Sequence, residues 1–143
     1  MQVKIKKTLP NAVIPTYAHD TDAGLDLTAA SVHYDKELDC WIYDTGIAIE
    51  IPEGYVGLVF PRSSNRKTNY YLTNHVGVID SGYRGSITAS FKGRDWNTNQ
   101  ASYNLGDRIV QLIIMPYPKI EFNEVDTLSN SDRGTNGHGS TGA

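Results

Sequence analysis

Gly77-Val78-Ile79-Asp80-Ser81-Gly82-Tyr83-Arg84-Gly85 runs on into Ser86-Ile87-Thr88-Ala89-Ser90-Phe91, so that two short β-branched, apolar runs flank a glycine-containing turn. The pattern predicts a hairpin with an acid at the end of its first strand and an aromatic ring just past the turn. Asp80-Ser81-Gly82 reads equally as plain turn chemistry, and Tyr83 as a strand-edge aromatic. What gives the hairpin functional interest is its backbone: exposed N–H and C=O groups can read the edge of a planar base.

The same period of two extends outward in both directions. Val3-Lys4-Ile5-Lys6 alternates apolar with basic, and Ile47-Ala48-Ile49-Glu50-Ile51 alternates until Pro52 stops it. Tyr55 to Phe60 and Ile109 to Met115 are further β-prone runs. Pro52-Glu53-Gly54, Lys92-Gly93-Arg94-Asp95 and Leu105-Gly106-Asp107 punctuate them as turns. Many short strands separated by turns predict an all-β sandwich, barrel or jelly roll. Helical period is nearly absent. Ser63 to Tyr70, following Pro61, is the one stretch suited to a short helix, with a serine available to cap it.

A length of 143 residues argues for one domain, with 39% hydrophobic and 20% charged residues as in ordinary globular proteins. A domain of this size can bury an adequate core yet gains from assembling into an oligomer. The net charge of -3 provides no electrostatic footprint for sequence-independent binding to nucleic acid. Cys40 stands alone, which rules out an intramolecular disulfide or a cysteine-based metal site and points to a reducing, cytoplasmic compartment. Neither a signal-like apolar region nor a membrane-length apolar run is evident, so no membrane partner is expected. From Ser129 to Ala143 the composition changes to SNSDRGTNGHGSTGA, almost without apolar side chains. Such a segment reads as a disordered tail, or as an arm that becomes ordered on closing over a ligand. The expected division is therefore a β domain over 1–128 and a glycine-rich arm over 129–143.

Several further strings carry chemistry. Pro61-Arg62-Ser63-Ser64 puts a guanidinium beside two hydroxyls at the start of the candidate helix, which suits phosphate oxygens and equally suits a solvated cap. The tail joins Arg133 to Gly139, Ser140 and Thr141, where glycines allow close backbone approach to a phosphate. It lacks the Gly-Lys-Ser/Thr ending of a P-loop, and His138 has no companion at metal-ligand spacing. Ala23-Gly24-Leu25-Asp26-Leu27 sets one carboxylate in an apolar strand start. Gly106-Asp107-Arg108-Ile109-Val110-Gln111-Leu112 sets one amide in an apolar strand, where it must find partners.

Taken in order, the strings at Ala23, Pro61, Gly77, Gly106 and the tail resemble the five motifs of the trimeric dUTPase family. GVIDSGYRG is the most specific of them, and together they span nearly the whole chain. The resemblance implies a jelly-roll homotrimer whose active sites each draw on more than one subunit. It implies that Asp80 orients and deprotonates the water attacking the α-phosphorus of dUTP. It implies that Tyr83 packs under the deoxyribose and leaves no room for a 2′-hydroxyl. Uracil would be read by backbone groups around Gly77, Val78 and Ile79 and near Thr88, with Asn74 as a side-chain contact. Arg62, Ser63, Ser64 and Gln111 would face the phosphates, and Asp26 would approach Mg²⁺ through a water. Arg133, Gly139, Ser140 and Thr141 would close over the outer phosphates, with His138 against the base.

That chemistry suits the residue types. Cleavage of a triphosphate needs charge neutralisation and positioning more than covalent help. Mg²⁺ favours phosphate oxygens, water and one or two carboxylates. Two departures from the family pattern stand out: Ser64 replaces the glycine of PRSG, and His138 replaces the usual lid phenylalanine. The related dCTP deaminases resemble the same hairpin but need a glutamate base where this chain has Ser90. A non-catalytic protein on the same scaffold would be expected to lose Asp80, Arg62 or the tail, and all are present. The implied role is to keep uracil out of DNA and to supply dUMP for thymidylate synthesis, in the cytoplasm or, for a viral protein, in that of its host.

Overall fold

The structure is a computed structural model that describes residues 1–93 and 101–137. Its ten strands are β1 (Lys4–Lys7), β2 (Leu25–Thr28), β3 (Ser31–Asp35), β4 (Cys40–Asp44), β5 (Ile47–Glu50), β6 (Tyr55–Pro61), β7 (Tyr70–Leu72), β8 (Gly77–Ile79), β9 (Thr88–Gly93) and β10 (Arg108–Pro116). All pairings are antiparallel. Two four-stranded sheets, ordered β2-β10-β6-β8 and β3-β4-β9-β7, enclose the core, and β1 pairs with β5 in a third. The all-β jelly-roll class read from the sequence is the architecture found. No helix among the described residues is long and apolar enough to cross a membrane.

The interior follows from the alternation. Leu27, Val59, Val110 and Leu112 from the first sheet are buried in one core with Tyr43, Leu72, Ala89 and Phe91 from the second. Tyr43 and Phe91 meet edge to face at 5.7 Å, and Tyr103 packs on Phe91 at 5.2 Å. Tyr43 also keeps its hydroxyl satisfied inside: it accepts from the Tyr103 amide at 3.0 Å and donates to the Tyr103 carbonyl at 3.2 Å.

Three sequence expectations are corrected. Gly77 to Ile79 and the run after Ser86 do not form a hairpin: β8 pairs with β6, whereas β9 lies between β4 and β7. The connection between Ile79 and Thr88 is too long for a tight turn and crosses from one sheet to the other. Gly57 lets β8 lie close against β6, because a Cβ there would lie 3.2 Å from the Cβ of its β8 partner Ile79 and 2.7 Å from Ile51. The expected helix over Ser63 to Tyr70 shrinks to a 3-10 segment, Ser63–Lys67, and Tyr70 already belongs to β7. No serine caps that segment: Arg62 holds the N-cap position without a side-chain bond. Buried Asn65 anchors it instead, donating to Tyr103 Oη at 3.0 Å and to Thr68 Oγ1 at 3.2 Å.

Candidate active site

A cavity of about 250 Å³ opens where the two large sheets part company. β8 is the last strand of its sheet, so one of its edges carries backbone groups with no strand partner among the described residues. Across the cavity lies the start of β9, where Thr88 extends beyond the end of the short strand β7. Both edges therefore offer backbone donors and acceptors to whatever enters. The feature sought in a hairpin is achieved by two strands of different sheets. Asn74, Gly77, Val78, Ile79, Asp80, Tyr83 and Thr88 all line this one cavity, with Ser86 and Ile87 as wall residues the motifs did not single out.

Local structure sets each group. The β7–β8 turn is closed by the His75 amide on Leu72 O at 3.0 Å, with His75 itself at a left-handed φ of 60°. Asn74 sits in this turn, its amide nitrogen near Gly77. Asp80 begins the crossing loop, where its carbonyl accepts from the Tyr83 amide at 3.0 Å. Its carboxylate is exposed at the cavity and has no hydrogen bond or ion pair among the described residues. The Tyr83 ring folds back over Gly85, where an added Cβ would lie 2.6 Å from Cζ, so only glycine admits this rotamer. Its hydroxyl donates to Ser86 O at 3.0 Å. Arg84 donates to Ser81 O at 2.6 Å and Tyr83 O at 2.9 Å, bracing the loop from outside.

A second cluster lies on β2, the end of β6 and the start of β10. Arg62 grips Asp26 in a bidentate pair, Nε to Oδ1 at 2.6 Å and Nη2 to Oδ2 at 3.2 Å. Arg108 adds a third bond to Asp26 Oδ2 at 3.0 Å. Two guanidiniums thus share one carboxylate, and the surplus positive charge suits an anion. Arg108 was present in the quoted string but not singled out, because its partner is visible only once β2 and β10 are in register. Ser64 Oγ is 3.5 Å from Arg62 Nη1, and Ser63 is exposed on the 3-10 segment. Gln111 stands opposite Asp26 and donates to Pro61 O at 3.1 Å, which answers the demand of its half-buried amide. Gly24 makes room for it: a Cβ there would be 2.7 Å from Gln111 Oε1.

None of Asp26, Arg62, Ser64 or Gln111 lines the cavity. Arg133 is exposed and donates to Asn136 O at 3.0 Å within the tail, while His138, Gly139, Ser140 and Thr141 lie outside the described residues. Ser90 lies within β9, its carbonyl accepting from Thr73, and does not line the cavity. No group of three or more His, Cys, Asp or Glu side chains able to hold a metal is found among the described residues.

Comparison with known proteins meets this geometry from another side. The family profile described as dUTPase matches residues 10–142. The deoxyuridine 5'-triphosphate nucleotidohydrolase of Tropheryma whipplei strain Twist is 43% identical over 130 residues, covering 90% of this chain and 88% of the relative. That of Crocosphaera subtropica is 37% identical and covers 99% of both chains. Among solved structures, the dUTPase of Staphylococcus bacteriophage 80alpha with dUPNHPP superposes with a TM-score of 0.84 at 30% identity over 99% of each chain. A mutant dUTPase from phage phi11 of S. aureus, described with a structural Mg(II) ion, superposes at 0.73 with 28% identity, over 89% of this chain and 98% of its own. With family, relatives and fold in agreement along almost its full length, the chain belongs to the dUTPase family of nucleotide triphosphate pyrophosphohydrolases.

Proposed function

We propose that the chain hydrolyses dUTP to dUMP and pyrophosphate by Mg²⁺-assisted attack of water on the α-phosphorus, with Asp80 as the general base. The observation that carries this reading is one cavity in which a carboxylate without a partner among the described residues, an aromatic ring and two backbone edges converge. A uracil ring takes its hydrogen bonds from the edge of Gly77–Ile79, from the Thr88 side and from Asn74. Tyr83 lies under the deoxyribose and closes the 2′ position. Asp80 accepts the proton of the attacking water; a positioned base of this kind contributes roughly 10²–10⁴-fold.

Arg62 and Arg108, with Ser63, Ser64 and Gln111, provide the donors for phosphate oxygens. The donor set fits Mg²⁺ that arrives with the triphosphate. The described residues offer no cage of carboxylates, and Asp26 supplies one carboxylate that can hold the ion through a bound water. When bound, the ion neutralises phosphate charge. Asp26 meanwhile keeps both arginines aimed at one spot, so their donors are in place before the substrate arrives.

The base-binding cavity and the arginine cluster do not meet within one chain, which supports a homotrimer with each site assembled across subunits. Exposed apolar side chains after β10 support association too: Ile120, Phe122 and Leu128 are 63%, 93% and 82% exposed. The segment 129–143 is the arm that closes the site, with Arg133, Gly139, Ser140 and Thr141 over the outer phosphates and His138 against uracil. Acting in the cytoplasm, or in that of a host, the reaction would keep uracil out of DNA and furnish dUMP for thymidylate synthesis.

The test is pyrophosphate release with Mg²⁺ from dUTP, UTP, dTTP and dCTP by the wild type and by Asp80→Asn. Turnover of dUTP alone, lost in the variant, is expected. Equal cleavage of all four would refute the assignment of Tyr83 and the strand edges, and an active Asp80→Asn would remove the base.

A further inference from the structure

We propose that Asp44, acting through Ser86, is the positioning residue that fixes Tyr83 and so sets how strictly the site rejects ribose. The inference rests on the reading of Tyr83 as the group that closes the 2′ position. Tyr83 is 45% exposed on a crossing loop, and its ring is fixed at the far end by one hydrogen bond, Oη to Ser86 O. A steric filter works only if its wall stays in place, because rejecting one hydroxyl depends on shifts smaller than that group. The position of Ser86 therefore decides the position of the ring.

Ser86 is held from an unexpected direction. Its hydroxyl donates to Asp44 Oδ1 at the end of β4 and accepts from Thr8 Oγ1 at 3.2 Å. The same carboxylate oxygen accepts from the Gly46 amide at 2.7 Å, so one atom ties the β4–β5 turn to the Tyr83 loop. Gly46 has φ +65° with Leu9 and Ala12 within 3 Å of where a Cβ would stand, and its carbonyl accepts from the Thr8 amide at 2.8 Å. The next residue repeats the clamp. Ile87 donates to Ile47 O at 2.8 Å, and its carbonyl accepts from the Thr45 amide and, at 2.8 Å, from the fully buried Thr45 hydroxyl. Ser86 and Ile87 are thus pinned to a turn none of whose residues lines the cavity, and Asp44, the strand partner of Thr88, is the only charged group in the clamp.

Measuring kcat/KM for dUTP and for UTP with Mg²⁺, in the full chain, tests this. Ser86→Ala and Asp44→Ala should each lower the dUTP-over-UTP ratio by about tenfold, the equivalent of one charge-assisted hydrogen bond, mainly through better use of UTP. Asp44→Asn should restore the ratio, since a carboxamide oxygen accepts the same two bonds. Adding Asp44→Ala to Tyr83→Ala should change the ratio no further, because the effect runs through the ring. If Tyr83→Ala alone leaves the ratio intact, the reading of Tyr83 fails and this inference with it. If Tyr83→Ala collapses the ratio but Ser86→Ala preserves it, only the positioning role is overturned. Equal losses for both substrates in Asp44→Ala would likewise overturn it, by showing a general structural role. Should Asp44→Ala fail to fold, Ser86→Ala still decides the matter.

Discussion

Asp26 organises two arginines without lining the cavity. Its two oxygens take three hydrogen bonds from Arg62 and Arg108, with side-chain exposures of 16% for Asp26 and 23% for Arg62. Removing the charge leaves two guanidiniums facing each other across a neutral amide. We expect Asp26→Asn to cost about 1–2 kcal/mol in chemical denaturation, the lower part of the range for a partly buried charged pair. Dependence of dUTP turnover on Mg²⁺ should shift to higher concentration in the same variant; an unchanged Mg²⁺ titration would break the link between Asp26 and the ion. A second residue-scale effect lies far from the site. The Tyr34 hydroxyl, followed by nearby Lys92, holds the Asp39 carboxyl below its usual value. A depressed folded pKa means a stabilising contribution present above the unfolded carboxylate value and lost as pH falls through the folded one. Tyr34→Phe should move the Asp39 titration upward toward the ordinary range, read by carboxyl NMR. Asp26, Arg62 and Gln111 were legible because each breaks an apolar or turn pattern. That they form one cluster was not, since it depends on the registers of β10 with β2 and with β6.

Elements were legible in proportion to their period. β5 carries an alternating run and β6 and β10 carry runs rich in β-branched and aromatic residues, and all three contribute to the core. β3 and β4 went unmarked because SVHYD and CWIYD mix charge and aromatics without clean alternation. The β8–β9 expectation has a different origin: sequence proximity suggests pairing, but the two strands belong to different sheets, β8 beside β6 and β9 between β4 and β7. The 3-10 segment carries the clearest element-scale test. Asn65 is 8% exposed and its amide bonds to Tyr103 and Thr68, in place of a side-chain bond at the N-cap. Asn65→Ala strands the Tyr103 hydroxyl and frees Ser63–Lys67, so a loss of about 1–3 kcal/mol is expected. The urea midpoint should fall with an unchanged slope. Because Arg62 adjoins this segment and Ser64 lies within it, KM for dUTP should rise as well; a variant that loses stability but keeps KM would show that the anchor does not serve the phosphate side.

At the scale of the whole molecule, the isolated chain is incomplete by its own surface chemistry. An apolar cavity of about 330 Å³ is lined by Val3, Ile5, Ile14, Leu25, Ile49, Leu112 and Ile114, yet lies open at the edge of β1. That edge explains why β1 alternates apolar with basic while remaining exposed throughout: Ile5 faces a surface that this chain does not cover. Beyond β10 the described chain is exposed at every residue, and Tyr117, Ile120, Phe122, Val125 and Leu128 project from it. Fully burying a side chain of the Leu or Phe class stabilises by roughly 1.5–3 kcal/mol. Several such residues per chain, repeated in each subunit, are enough to drive assembly even after the entropic cost of association. We therefore expect sedimentation to give three times the chain mass, and Phe122→Asp combined with Leu128→Asp to dissociate the assembly at micromolar concentration. Since the cavity and the arginine cluster meet only between subunits on this reading, dissociation should lower dUTP turnover by at least 10², while the monomer keeps its β-sheet circular dichroism. A variant that sediments as a monomer and retains wild-type turnover would mean that one chain holds a complete site, and the separation of Asp80 from Arg62 would then need a movement within the chain to close it.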